Sequence, residues 1–149
     1  MQEEQLVVYR LGTEHYALPI AKVKEIIIYN EATKLPNTPS FITGVINLRG
    51  KVIPVVDLGG RFGVGGGSRS RGRVLVIETG NQEVGLLVDE VTEVIRLSQE
   101  QIDPAPGLAG GKSYIQGIGK KDNELLILLN PDELLAEHEL AVLQTSCLR

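Results

Sequence analysis

Few side chains in this 149-residue chain are of a type that makes or breaks bonds, and their spacing tells against most such chemistry. His15 and His138 are the only histidines, and neither has a Cys or acidic cluster at metal-ligand spacing. The serines Ser40, Ser68, Ser70, Ser98, Ser113 and Ser146 lie in no Gly-x-Ser-x-Gly elbow, and two widely separated imidazoles give little base for a nucleophilic triad. Asp89-Glu90 and Asp132-Glu133 are paired carboxylates at turn or helix-start positions, where solvation and capping explain them better than acid-base catalysis. Gly107 to Ser113, GLAGGKS, approaches a phosphate loop but is one residue short: Pro106 stands where the first Gly should be. A Pro-rich loop also precedes it and a strand follows it, the reverse of what a phosphate cradle at a helix start needs. What remains is recognition chemistry. Arg49-Gly50 is a turn between two β-branched runs, Val45 to Leu48 and Lys51 to Val56. A guanidinium is costly to bury unpaired, so Arg49 belongs either in solvent or where a carboxylate, a carbonyl or a partner protein meets it.

Bulk properties narrow the class. One domain's worth of chain can bury a substantial core but leaves no room for separate catalytic and regulatory domains of usual size. Hydrophobic residues make up 42% and aromatic ones 4%, with no Trp, so the core is built of Val, Ile and Leu, which favours strands. A net charge of -4 argues against a broad basic face for nucleic acid. Cys147 is the only cysteine, so there is neither an intrachain disulfide nor a metal knuckle. The acidic start MQEEQLVVYR is unlike a signal peptide and the apolar runs are strand-length, so the chain is expected to be cytoplasmic, without direct membrane insertion. Neither catalysis nor a metal or cofactor is expected.

The elements that must position Arg49 follow from an internal repeat. Leu6 to Ile27 superimposes without gaps on Val74 to Ile95 at an offset of 68, matching Gly12 to Gly80, Leu18 to Leu86, Glu25 to Glu93 and Ile27 to Ile95. A second match at an offset of 73 sets Ile42, Gly44, Val45 and Asp57 against Ile115, Gly117, Ile118 and Asn130. The chain is therefore read as one domain over 1–149 holding two copies of a β unit, 6–63 and 73–133, joined by a Gly- and Arg-rich flexible connection over 59–72. Each copy carries about five strands, the size of a small barrel. In the first they are expected at Leu6 to Leu11, His15 to Pro19, Ile26 to Tyr29, Thr43 to Leu48 and Lys51 to Val56. In the second they are expected at Val74 to Thr79, Glu83 to Val88, Thr92 to Leu97, Tyr114 to Gly119 and Glu124 to Leu129. Asn130 as N-cap and Pro131 at the first helical position open a C-terminal helix to about Leu143. The repeat boundary need not be the barrel boundary, because strands can be exchanged between halves.

The stretch Phe41 to Leu58, FITGVINLRGKVIPVVDL, resembles the signature of the CheW family of chemotaxis coupling proteins, here in Gly44-Val45, Asn47-Leu48-Arg49-Gly50, Pro54 and Val56-Asp57-Leu58. LPNTPSFITG, EVGLLVDEVTEV, EQIDPAP and ELLILLNPDELL are similar to further family segments in the family order, so the resemblance covers nearly the whole chain. It implies an all-β fold of two five-stranded SH3-like barrels packed together, with short connecting helices and a C-terminal helix. It also implies a non-enzymatic adaptor between chemoreceptor cytoplasmic hairpin tips and the regulatory domain of the histidine kinase CheA, recruited to membrane-associated receptor arrays. Carried over by position, the receptor contact would involve Val23, Glu25, Gly44, Asn47, Arg49 and Gly50, and the kinase contact the second copy around Gly85. Residue type alone gives plainer roles: valine is usually core and glycine usually serves a turn. A docking module of another receptor-kinase array, such as surface motility or gene regulation, is the alternative. A small enzyme or nucleic-acid-binding barrel is a third class, for which Tyr9, Tyr16, Tyr29 and Tyr114 form no obvious basic-aromatic face.

Overall fold

The computed structural model describes residues 3–30, 32–34, 36, 42–59, 72–79, 82–104 and 115–131. Among them the strands are β1 (Glu3–Leu11), β2 (Glu14–Pro19), β3 (Val23–Ile28), β4 (Ile42–Leu48), β5 (Lys51–Asp57), β6 (Arg73–Thr79), β7 (Gln82–Val88), β8 (Glu90–Ser98), β9 (Ile102–Pro104), β10 (Ile115–Lys121) and β11 (Glu124–Leu129). The short connecting helices are single 3₁₀ turns at Ile20–Lys22 and Gln99–Gln101. The expected C-terminal helix beyond Pro131, the interior of the Gly-rich connection and the GLAGGKS loop lie outside the described residues.

Two sheets form, in the orders β8-β1-β2-β11-β10-β9 and β3-β6-β7-β5-β4. Each takes its central hairpin from one half of the chain and its flanking strands from the other, so β1–β2 and β6–β7 are exchanged. Under the offsets of 68 and 73 the registers coincide. The parallel pairing Val55 to Gly85 answers Leu128 to Ala17, and the register shift between Ile42 and Gly44 answers that between Ile115 and Gly117. The bulges at Lys24 in β3 and Thr92 in β8 also correspond. The exchange has a packing reason. β1 and β6 are apolar at consecutive positions, so both of their faces are buried. Leu6 and Val8 line the interior of the six-stranded sheet with Ala17, Ile95, Leu97, Leu126 and Leu128. Val74 and Val76 line the five-stranded one with Ile53, Val55 and Leu87. The alternate residues Val7, Tyr9, Leu11, Leu75 and Ile77 meet between the sheets in the largest cluster. Each such Val, Leu or Ile contributes about 1.5–3 kcal/mol through burial.

The strands run beyond their expected limits where bulges break the alternation: β3 starts at Val23 because Lys24 is an extra residue opposite β6. β9, too short and Pro-ended to show in a pattern, pairs with the edge of β10. Its counterpart in the other half is a single bridge between Thr33 and Val45.

Tyr9 stacks on its cross-strand neighbour Tyr16 with ring centroids 5.9 Å apart. Its hydroxyl is wholly buried and has no hydrogen-bond partner among the described residues. An unpaired buried hydroxyl costs about 1–3 kcal/mol, while the ring supplies the packing. Tyr9→Phe is therefore expected to leave the denaturation midpoint unchanged or raise it, whereas most substitutions at so buried a position lower it.

Candidate functional site

The β4–β5 turn is tight because two consecutive residues have positive φ, Arg49 at 53° and Gly50 at 86°. Such a turn matches the twist of its strands. Asn47 Oδ1 accepts the Gly50 backbone N–H at 2.9 Å and locks it. Arg49 is thereby aimed across the open seam between β4 and β3, the two outer strands of the five-stranded sheet, where it meets Glu25. Its Nη2 donates to Oε2 at 2.9 Å and its Nη1 to Oε1, a bidentate pair whose planar fork fits the carboxylate. The arginine side chain is 73% exposed and the glutamate's 27%, so the cation lies outward and the anion beneath it.

A second ionic unit adjoins this pair. Lys24, the extra residue of the β3 bulge, reaches Glu83 of β7 at 3.0 Å, and Lys51 at the start of β5 reaches the same carboxylate at 3.3 Å. Again the cations lie outward: Lys51 is 70% and Lys24 45% exposed, against 17% for Glu83. Glu25 and Glu83 stand in strand phase with Ile27 and Leu87 of the interior cluster, so these charges ring one open end of the barrel. The hydrogen bond from Arg49 holds the Glu25 carboxyl below its ordinary range, and those from Lys24 and Lys51 do the same for Glu83.

The sign of the pH effect follows. A carboxyl lowered in the folded state contributes stability that is full above its ordinary value near 4.5 and is lost as pH falls through the depressed value. Glu25→Gln should thus lower the denaturation midpoint relative to wild type at pH 7. The two should converge as the pH drops below that ordinary value, and 1 M salt should narrow the gap at pH 7 because the pair is exposed.

Of the residues singled out in the sequence, Glu25, Asn47, Arg49 and Gly50 come together here. Val23, half-buried, packs against the inter-sheet core, on the opposite face of β3 from Glu25. Gly44 lies at the far part of β4, buried at the bulge, where an added Cβ would stand 2.2 Å from the Thr33 carbonyl oxygen. Gly85 is buried in β7, where a Cβ would meet Val74 Cγ1 at 2.7 Å, so it sets strand packing rather than surface chemistry. Lys24, Lys51 and Glu83 were not anticipated, since only the sheet order brings three separate strands to one carboxylate. Asp89-Glu90 braces the crossover between sheets: Asp89 Oδ2 accepts the Gly12 N–H at 2.7 Å, and Arg10 Nε donates to Glu90 Oε1 at 3.2 Å. His15 faces Glu124 at 3.7 Å, while His138 lies outside the described residues. Among the described residues no cluster of potential metal ligands occurs and no helix is long and apolar enough to cross a membrane.

Rigid strands carrying a braced, outward-facing cationic end are the construction of a protein-docking scaffold built from two barrels. The comparisons with known proteins agree. The profile of the CheW-like domain matches residues 5–139. The chemotaxis protein CheW of Klebsiella aerogenes is 39% identical over 142 residues, spanning 93% of this chain and 86% of that protein. CheW of Helicobacter pylori is 36% identical over 133 residues, spanning 88% and 81%. The crystal structure of the scaffolding protein TtCheW from Thermoanaerobacter tengcongensis superimposes with a TM-score of 0.85 at 38% identity, covering 93% of this chain and 96% of that one. The chain belongs to the CheW family, and it is a non-enzymatic coupling adaptor of chemotaxis signal transduction.

Proposed function

We propose that this chain receives the cytoplasmic hairpin tip of a chemoreceptor at the Arg49 end of the five-stranded barrel and the regulatory domain of CheA at a different face, and that these contacts recruit it to receptor arrays. The observation that carries the reading is the Glu25–Arg49 pair: a bidentate, largely exposed guanidinium on a turn locked by Asn47. A preorganised charge of this kind sets register and suppresses wrong partners more than it adds affinity. Arg49 and Glu25 supply the charge, Val23 packs the start of β3 onto the inter-sheet core behind them, Gly50 gives the turn its geometry, and Gly44 seats β4 at the Thr33–Val45 bridge. Gly85 bears on the kinase contact only through the strand packing it permits. The two repeat copies, 6–63 and 73–133, give the scaffold two similar barrels and hence two faces for two partners.

The test is the autophosphorylation rate of a cognate CheA in the presence of receptor hairpins, with and without this protein. Receptor-dependent activation is expected only when it is present. Absence of activation, in a mixture that another coupling protein does activate, would overturn the reading in favour of a different array.

A further inference from the structure

We infer that Lys24, Lys51 and Arg49 form a cationic rim that recognises carboxylates one helical turn apart on the docked helix, which makes the Lys24–Glu83–Lys51 triad a specificity determinant of this chain. The inference rests on the docking reading above and names the chemistry of the surface that is docked. Both ammonium groups lie on one carboxylate, Lys24 at 3.0 Å from Oε2 and Lys51 at 3.3 Å from Oε1, so they are held as close neighbours, as side chains one turn apart on a helix are. Arg49 and Lys51 are the most exposed of these charges, at 73% and 70%, with Glu25 and Glu83 sunk beneath the cations, while Glu78, opposite Glu83 on β6 and exposed, acts on Lys24 from the flank. Such local complementarity steers and orders an encounter.

The fold itself supplies the control. The same backbone is built twice, and the other copy carries a different set of charges. In the six-stranded sheet Thr92 occupies the place of Lys24 and donates its hydroxyl to the Val8 carbonyl at 3.2 Å. His15 and Glu124 occupy the places of Glu83 and Lys51, and Asp122 stands at the turn position of Arg49 with φ 54° against 53°. The second Glu is kept paired, Glu93 with Lys121 at 2.9 Å. The barrel end therefore folds without two lysines on one glutamate, and the triad is free to serve recognition.

The experiment measures binding of a chemoreceptor cytoplasmic hairpin fragment from the source genome across a range of salt concentrations. A second form of the fragment has its tip Asp and Glu replaced by Asn and Gln. Lys24→Glu/Lys51→Glu should weaken binding at low salt at least tenfold. Lys24→Gln/Lys51→Gln, which adds no repulsion around Glu83, should weaken it in the same direction. Glu83→Gln should strengthen binding several-fold by uncovering the lysines, a gain that a merely structural role would not produce. These differences should shrink as salt rises and vanish with the amide form of the fragment. If Arg49→Glu loses the fragment while every triad variant binds it as wild type does, the inference is overturned and the docking reading stands. If the wild type itself fails to bind, both fall.

Discussion

Arg49→Glu is expected to abolish receptor-dependent activation of CheA while leaving the protein folded. The substitution places a second carboxylate opposite Glu25, with Glu83 near enough to disfavour both, and so turns the outward cation of the barrel end into an anion. The change removes the outward cation and adds a like charge beside two carboxylates, which weakens both the encounter and its register. The expected loss is at least tenfold in affinity for the receptor fragment. The fold should tolerate it: residue 49 is 73% exposed, its positive φ suits glutamate no worse than arginine, and exposed ion pairs contribute little stability. The measurement is CheA autophosphorylation with receptor hairpins, beside a thermal melt of the variant. Arg49→Lys refines the result, because an ammonium keeps the charge but loses the fork. The charge swap Glu25→Arg/Arg49→Glu separates two roles. If the swap restores coupling, the pair serves as an internal brace. If it does not, the guanidinium meets the partner. Full activity in Arg49→Glu would remove Arg49 from the working surface.

How far this site was legible in the sequence depends on which interactions are local. The repeat at offsets of 68 and 73 is visible because each strand keeps its own alternation, and the structure shows identical registers at those offsets. The Arg49-Gly50 turn is local too: two β-branched runs around a Gly admit few turn types. The pairing of Arg49 with Glu25 is not. The two residues stand 24 positions apart, on opposite edges of a sheet whose closure is set by the order β3-β6-β7-β5-β4. That order includes the exchanged β6–β7 hairpin, so no pattern within the first copy could place Glu83 beside Lys51. Lys24 was hidden for a further reason. Its bulge puts Val23 and Glu25 on opposite faces of β3 although they stand two apart, so the period-two pattern does not carry across it. Gly85 illustrates the converse, since a glycine in an apolar run reads equally as surface geometry or as close packing, and only the positions of Val74 and Val55 decide.

Gly44→Ala should destabilise the fold more than any change at the proposed docking rim, and the reason separates the two glycines of one signature. At Gly44, φ is 149°, and a Cβ would lie 2.2 Å from the Thr33 carbonyl oxygen and 2.7 Å from its carbon. Both are backbone atoms, so no side chain can yield. Accommodation requires breaking the Thr33–Val45 bridge, with hydrogen bonds of 2.9 and 2.8 Å, at about 0.5–1.5 kcal/mol each, besides about 1–3 kcal/mol for a strained backbone. The expected loss is about 2–6 kcal/mol, a large share of the 5–15 kcal/mol typical of a domain. Gly50→Ala is the comparison: φ is 86°, but nothing lies within 4 Å, so only the conformational cost of roughly 1–2 kcal/mol applies. Urea denaturation of both variants measures the difference, and equal midpoints would mean that the bulge at Thr43 can migrate and relieve the contact. Gly117, whose Cβ would approach the Asp103 carbonyl oxygen at 2.6 Å, should share the steric part of the Gly44 cost without its backbone strain, because the second sheet repeats the close approach of β9 to β10 but not the positive φ. Coupling in Gly44→Ala should then fail in proportion to the unfolded fraction and recover on cooling toward the temperature of maximum stability, whereas the defect of Arg49→Glu should persist in fully folded protein. Gly44 would thus hold the strand that carries the turn, while Arg49 carries the recognition.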